Sequence, residues 1–132
     1  MNTDSNPGST SILLEGELTE TILGAAFKVL NTIGAGFLEK VYENALALEL
    51  RKAGLCVECQ KPFPVRYEGA VVGDYLADMV VAGKVIIECK AASALDAVHE
   101  AQLMNYLKAR GLRVGLLINF GRPKLQYRRI VA

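Results

Sequence analysis

The sequence predicts an α/β domain in which a central sheet is flanked by helices. Segments with helical and strand-like hydrophobic patterns follow in the order of two helices, three strands, one helix and two strands. The middle strands carry apolar residues on both faces, which is typical of a sheet that is covered on both sides. With 132 residues, 52% of them hydrophobic and 22% charged, the chain is long enough for one folded domain and too short for two.

Two amphipathic helices are predicted in the first half of the chain. Residues 1–14 are rich in small and polar side chains, so we expect them to be flexible and a single domain to span residues 15–132. Apolar residues recur at helical spacing over residues 17–31, which predicts the first helix. Gly34 lies in the break that follows, and the second helix is expected over residues 37–52.

The other predicted elements are five strands and a third helix. Val, Ile and Tyr are frequent in the strand-like segments. Pro62 and Pro64 lack the N–H that a strand ladder needs, so the first strand is expected to lie at an edge of the sheet or to pair only at its end. Ser93 or Asp96 can cap the third helix, which ends near Arg110. The predicted strands are residues 56–67, 70–81, 84–90, 112–120 and 125–131.

Charged residues interrupt two strands that are otherwise apolar. Asp78 lies within residues 75–81, and Glu88 and Lys90 end the run of residues 85–90. Because side chains alternate along a strand, Glu88 and Lys90 emerge on one face, about 6 to 7 Å apart. Charges at buried strands usually have a partner or bind a metal. Asp78, Glu88 and Lys90 therefore predict a functional site.

The turn between these two strands decides whether the carboxylates can meet. Directly paired residues of antiparallel strands point to the same face. A two-residue turn would pair Asp78 with Ile87 and send Glu88 to the other face. A three-residue loop, with Gly83 at positive φ, would pair Asp78 with Ile86 and bring the three charged residues together. The predicted site therefore requires a loop of odd length.

The residue types of this site favour a hard divalent cation. Two carboxylates in an apolar setting repel each other and are poorly solvated unless a cation neutralises them. Oxygen ligands with few nitrogens favour Mg²⁺ or Mn²⁺ over Zn²⁺. Cys56 and Cys59 are not expected to bind zinc, because they would face opposite sides of a strand and no second Cys pair exists.

Basic residues are concentrated near the end of the chain. The net charge is only +1, but residues 1–100 hold all 14 acidic side chains, whereas residues 101–132 hold basic ones alone. This asymmetry favours a polyanion-binding surface, although a solvated basic face fits the charge distribution as well. No apolar stretch is long enough for a membrane span, and no secretory signal pattern is present, so we expect a cytoplasmic protein.

The third predicted helix adds polar residues on one face: His99, Gln102 and Tyr106. Together with the strand residues, they resemble the PD-(D/E)XK nuclease superfamily, and more narrowly its GxxExxY family. Ala77 replaces the proline that precedes the aspartate in the superfamily pattern, which removes no ligand. The matching motifs are Gly36-Phe37-Leu38-Glu39-Lys40-Val41-Tyr42, Asp78 with Glu88-Cys89-Lys90, and Gln102-Leu103-Met104-Asn105-Tyr106.

The resemblance implies a restriction-endonuclease-like fold, with an αβββαβ core and a central mixed sheet. It implies that Asp78, Glu88 and the Cys89 carbonyl bind Mg²⁺ or Mn²⁺. Lys90 would orient or activate the attacking water and stabilise the charge that develops on phosphorus. Glu39 would act on the metal from the second helix, with Glu43 as the substitute if that helix is rotated.

The resemblance also implies a substrate-binding set. Gln102 and Tyr106 would position the substrate phosphate or the catalytic lysine, with His99 beside them, and Tyr42 is included from the GxxExxY motif.

The implied function is a Mg²⁺-dependent nuclease that hydrolyses phosphodiester bonds of nucleic acid, with DNA as the expected substrate. Two alternatives stay open: a catalytically inactive nucleic-acid-binding or assembly module with the same fold, and a small-molecule enzyme that uses the same pocket. A chain of this size has little surface for sequence recognition, so a homodimer or a partner protein is expected.

Overall fold

Three helices and five strands form the part of the chain that the computed structural model describes, residues 13–132. The predicted flexible segment, residues 1–14, lies almost wholly outside these residues. The elements are α1 (Gly16–Ile33), α2 (Glu39–Lys52), β1 (Val57–Tyr67), β2 (Ala70–Val81), β3 (Val85–Lys90), α3 (Ala97–Arg110), β4 (Val114–Asn119) and β5 (Gln126–Val131). Their order is the one that the hydrophobic patterns predict.

The five strands form one mixed sheet with the order β1-β2-β3-β4-β5. Strands β3 and β4 are parallel, and the other neighbouring pairs are antiparallel. Helix α3 is the crossover that parallel neighbours require. Strand β1, with Pro62 and Pro64, lies at an edge as predicted. The predicted α/β class with a central mixed sheet flanked by helices is therefore confirmed.

Helices cover both faces of the sheet, and each face has its own core. On one face, buried residues of α1 and α2 such as Ile22 and Leu46 pack with Met79 and Ile87. On the other face, Leu103 and Leu107 of α3 pack with Val80 and Ile86. Within residues 13–132, no helix has the length and apolar character that crossing a membrane requires.

Helix α3 begins seven residues after β3 ends, and its start is fixed by Asp96. The Asp96 carboxylate accepts a hydrogen bond of 2.9 Å from the Val98 N–H, which resolves the choice between Ser93 and Asp96 as the cap. Gly111, with φ at 73°, ends the helix in the left-handed conformation that favours glycine.

The loop between β2 and β3 has three residues, because Val81 pairs with Val85. The odd length is confirmed, and Gly83 has the expected positive φ, 66°. The predicted pairing of Asp78 with Ile86 is wrong, since Ile86 pairs with Val80. The loop begins one residue later than expected, which moves the register by two residues. A shift of two preserves the face of every side chain, so Asp78 still approaches Glu88.

Candidate active site

Asp78 lies where β2 departs from regular alternation. Ala77 and Val80 both pack in the core beneath α3, whereas Met79 packs in the core beneath α1 and α2. On a regular strand, Ala77 and Val80 would point to opposite faces, so the chain is irregular between them. Strand β1 is irregular at the same level, because Gln60 has a φ of 53°. Such irregularities re-aim side chains, here at Asp78.

The carboxylates of Asp78 and Glu88 are joined by hydrogen bonds through the backbone. Glu88 Oε2 accepts a bond of 3.2 Å from the Asp78 N–H, and Asp78 Oδ2 accepts one of 2.8 Å from the Cys89 N–H. The Tyr75 hydroxyl also donates to Glu88 Oε2. Among residues 13–132, no donor reaches the remaining oxygens, Asp78 Oδ1 and Glu88 Oε1. Each carboxylate is therefore fixed by one oxygen and keeps the other for a ligand.

The surroundings disfavour two negative charges at this place. Burial raises the pKa of the Asp78 carboxyl to about 6, with a further increase from the Glu43 charge, while the Cys89 N–H and Lys90 oppose the increase. Burial, followed by repulsion from Asp78, raises the pKa of the Glu88 carboxyl to about 7. Two hard oxygen donors that are poorly solvated as anions fit a divalent cation such as Mg²⁺ or Mn²⁺.

Lys90 is half-buried at the carboxyl end of β3. Its charge lowers the pKa values of both Asp78 and Glu88. Within the described part of the chain, however, it forms no ion pair with N–O distance within 4.0 Å. The ammonium group is thus close enough to act electrostatically and is free to contact an anionic substrate.

A hydrogen-bond network holds the loop that follows Lys90. Asn119 is fully buried, accepts a bond of 2.9 Å from the Ala92 N–H, and donates one of 2.9 Å to the Ala92 carbonyl. Gln126 accepts a bond of 3.1 Å from the Leu95 N–H and one of 3.2 Å from Asn119 Nδ2. Sequence reasoning missed these residues, although a polar Asn at the end of an apolar strand was a visible signal.

The helix-borne carboxylate that faces the site is Glu43 rather than Glu39. Glu43 is 5% exposed, whereas Glu39 is exposed in the first turn of α2, and Glu43 has the larger effect on the Asp78 pKa. Among residues 13–132, no three His, Cys, Asp or Glu side chains come together as a metal-binding group. Neither Glu39 nor Glu43 therefore completes a three-carboxylate group with Asp78 and Glu88 in this part of the chain.

Gln60 is a second residue that the sequence did not reveal. Its side-chain amide donates a hydrogen bond of 2.6 Å to Glu43 Oε1, which also accepts one of 3.1 Å from Lys40. The left-handed backbone of Gln60 is uncommon for a residue with a side chain. This strained residue of an edge strand thus fixes the buried carboxylate of α2.

Tyr42 and the Cys89 side chain belong to the core. The Tyr42 hydroxyl donates a bond of 2.6 Å to the Gly34 carbonyl and accepts one of 3.1 Å from the Phe37 N–H, and its ring stacks on Phe120. Tyr42 is 0% exposed, so the predicted direct contact with substrate is not compatible with its position. Burial raises the pKa of the Cys89 thiol well above its usual range, which leaves only the carbonyl as a candidate ligand.

The three predicted residues of α3 differ in their surroundings. Tyr106 is half-buried and stacks on Tyr75 with ring centroids 3.3 Å apart. Gln102 is exposed, and His99 is half-buried with an Nδ1 atom that has no hydrogen-bond partner within residues 13–132. Only Tyr106 is connected to the carboxylates, through the contact of Tyr75 with Glu88.

Comparisons with known proteins agree with this architecture. Comparison with curated proteins gave no match. A solved structure described as the crystal structure of SSO0001 is similar, with a TM-score of 0.57 and 18% sequence identity, over 89% of this chain and 58% of that one. This chain therefore spans little more than half the length of that protein, and the likeness concerns the fold. Residues 16–130 match the sequence model of the PD-(D/E)XK nuclease superfamily. The chain belongs to the PD-(D/E)XK nuclease superfamily.

Proposed function

We propose that this protein is a Mg²⁺-dependent nuclease of the GxxExxY family that hydrolyses phosphodiester bonds, with DNA as its substrate. The observation that carries the proposal is the approach of Asp78 and Glu88 to each other near Lys90. Membership of a nuclease superfamily supports nucleic acid as the substrate class and supports the use of divalent metals. The choice of Mg²⁺ and the roles of the individual residues are proposed from the chemistry of this site.

Asp78 and Glu88 would hold the cation, together with the Cys89 carbonyl. The Cys89 N–H fixes Asp78 through Oδ2, and Tyr75 fixes Glu88 through Oε2, so that Oδ1 and Oε1 are available as ligands. When bound, Mg²⁺ or Mn²⁺ would polarise the phosphate and lower the pKa of the attacking water.

Lys90 supplies positive charge where negative charge develops on the phosphate oxygens. Glu43 would act from α2, in place of Glu39, by accepting a proton or by orienting a water. Gln102 and Tyr106 would contact the substrate from α3.

The DNA backbone would lie across the end of the sheet at which β3 finishes with Lys90. Because β3 and β4 are parallel and Lys90 pairs with Asn119, the loop after β4 begins beside Lys90. Arg122 and Lys124 are exposed in this loop. A domain of this size has little surface for sequence recognition, so we propose that the protein acts as a homodimer or with a partner protein.

A cleavage assay tests the proposal. Plasmid and single-stranded DNA are incubated with Mg²⁺ or Mn²⁺ and the wild-type protein, Asp78→Ala, Lys90→Ala or Lys84→Ala. Each of the first two changes is expected to lower the rate about 100-fold or more, because each removes charge stabilisation in a poorly solvated site. Lys84→Ala removes an exposed charge at the β2–β3 loop and is expected to keep the wild-type rate. Cleavage that both site variants retain would contradict the proposal, and binding without cleavage would favour the inactive module.

A further inference from the structure

An open cavity of about 300 Å³ lies beside the candidate active site, between the β1–β2 hairpin and the end of α3. Its walls combine aromatic rings with two guanidinium groups. The lining residues include Phe63, Arg66, Tyr75, Tyr106 and Arg110. Tyr106 already has a proposed substrate contact, whereas Phe63, Arg66 and Arg110 have no role in the active site.

Tyr75 connects the cavity to the active site. Its ring lines the cavity, whereas its hydroxyl group donates a hydrogen bond to Glu88. The cavity and the carboxylates thus lie at opposite ends of one side chain. The cavity is therefore adjacent to the place where a phosphate at Asp78 and Glu88 would lie.

The two arginines give the cavity a positive charge. Arg66 and Arg110 are exposed, and neither forms an ion pair with another residue of the described chain. The Arg110 guanidinium lies over the Phe63 ring, 4.4 Å from its centroid. Arg110 is exposed and lines the cavity, and a guanidinium group of this kind can stack on a planar ligand.

Aromatic surface is available at the same place. Phe63 and Tyr75 are 5% and 9% exposed, so they form the floor, and the half-buried Tyr106 offers the more accessible ring. Flat π-surfaces beside unpaired arginines are complementary to a ligand that is both aromatic and anionic. A nucleotide has both properties.

We propose that this cavity binds the nucleotide next to the scissile phosphate. Its base would leave the stack of the neighbouring bases and stack on Tyr106 and Arg110, and its phosphate would contact Arg66. The proposal rests on the proposed nuclease function and narrows its substrate class to single-stranded nucleic acid. A base inside a duplex is paired and stacked and cannot enter the cavity without a cost in unstacking energy.

Binding of labelled oligonucleotides tests the proposal. Fluorescence anisotropy is measured in EDTA, which prevents cleavage, with a short oligothymidylate and with a strand of equal length in which all bases are replaced by abasic sites. The two probes carry the same phosphates, so their difference reports the bases. The proteins are the wild type, Arg66→Ala, Tyr106→Leu and Lys84→Ala, where the last removes one exposed positive charge far from the cavity.

The wild type is expected to bind the thymidine strand about tenfold more tightly than the abasic strand, the usual contribution of one stacked base. Tyr106→Leu should remove most of this preference. Arg66→Ala should weaken the binding of both strands. It should also lower the magnitude of the slope of log affinity against log salt concentration by about 0.7, as expected for one lost phosphate contact. Lys84→Ala should change neither quantity. Equal binding of the two strands by the wild type, or an Arg66→Ala protein that behaves as Lys84→Ala does, would overturn the proposal.

Cleavage assays with the same proteins separate this proposal from the proposed function. If the protein cuts DNA but Arg66→Ala and Tyr106→Leu cut single strands as the wild type does, the nucleotide site is wrong and the nuclease function stands. If the base preference is present but no cation supports cleavage, the cavity proposal stands and the catalytic function fails.

Discussion

Asp78 and Glu88 are held where neither carboxylate is well solvated, and this placement has consequences for stability. Folding raises the pKa values of both groups, to about 6 and about 7. The folded protein therefore binds protons more tightly than the unfolded chain. The stabilisation from these protons is complete below the ordinary carboxyl pKa and is lost as pH rises through 6 and 7.

We predict that the metal-free protein is less stable at pH 8 than at pH 5, with a melting temperature lower by about 5 °C or more. Adding Mg²⁺ at pH 8 should restore much of this loss, because the cation binds the deprotonated carboxylates of the folded state only. Thermal unfolding in EDTA and in Mg²⁺ measures both effects. A double variant, Asp78→Asn with Glu88→Gln, should show a flatter pH dependence; an unchanged slope would contradict the assigned cause.

Gln60 holds Glu43 at a cost in backbone strain. Its φ of 53° is unfavourable for a residue with a side chain, and its amide holds Glu43. Gln60→Ala and Gln60→Gly both remove the amide, but only glycine adopts this φ without strain. Urea unfolding should therefore show the Gly variant to be more stable than the Ala variant by about 1 kcal/mol.

Both Gln60 variants should have cleavage rates about tenfold lower than the wild type, since residues that orient a site carboxylate usually contribute that much. If both variants cleave at the wild-type rate, the hydrogen bond from Gln60 to Glu43 is not required for catalysis. Equal stabilities of the two variants would contradict the role assigned to backbone strain.

At the scale of elements, the β3–α3 loop depends on a close backbone contact with the loop after β4. A Cβ atom at Gly121 would lie 2.3 Å from the backbone N and O atoms of Ala92. Gly121→Ala must therefore displace the segment that follows Lys90. We predict a loss of about 2 kcal/mol in the free energy of unfolding, together with lower cleavage activity.

Gly73→Ala is the matched control, because a Cβ atom at Gly73 has nothing within 4 Å. Its free energy of unfolding should stay within about 0.5 kcal/mol of the wild type, as is usual for a surface substitution. A Gly121→Ala protein as stable and active as Gly73→Ala would show that this contact is not required.

The elements themselves were predictable because local patterns decide them. Alternation, helical spacing, Pro62 and Pro64 identified the strands, the helices and the edge position of β1. For the β2–β3 hairpin, the odd length of the loop was predicted correctly, but the pairing of the strands was wrong by two residues. Its loop uses positive φ at Ala82 as well as Gly83, and the sequence gives no sign of a left-handed alanine.

The proximity of Asp78 and Glu88 was predictable from the odd length of the loop, although the irregularity of β2 at Asp78 was not. The site was not predictable on α2, where the rotation of the helix decides which glutamate faces inward. Glu43 and Gln60 meet across 17 residues of sequence, and no short motif records that contact. Tyr42 was assigned to substrate from its motif, but burial gives it a structural contact instead.

At the scale of the whole molecule, the basic end of the chain has mixed uses. Arg113 donates to the Ala132 carbonyl, and Arg129 donates to the Leu14 carbonyl, so both contribute to the fold. Arg110, Arg122 and Lys124 remain exposed. The charge distribution favoured one polyanion-binding surface, with a solvated basic face as the alternative. In the structure, Arg110 lines the cavity beside the candidate site, whereas Arg122 and Lys124 lie in the loop after β4.

The central claim is that Asp78 and Glu88 bind one divalent cation, and a crystal grown with Mn²⁺ tests it most directly. We predict an anomalous-scattering peak bonded to Asp78 Oδ1 and Glu88 Oε1, about 2.0 to 2.6 Å from each oxygen as for hard cations in proteins. The peak should be absent from crystals of Asp78→Asn grown in the same way. A map of the wild-type protein with no peak between these carboxylates, at a pH above 7 and with Mn²⁺ in excess, would contradict the claim.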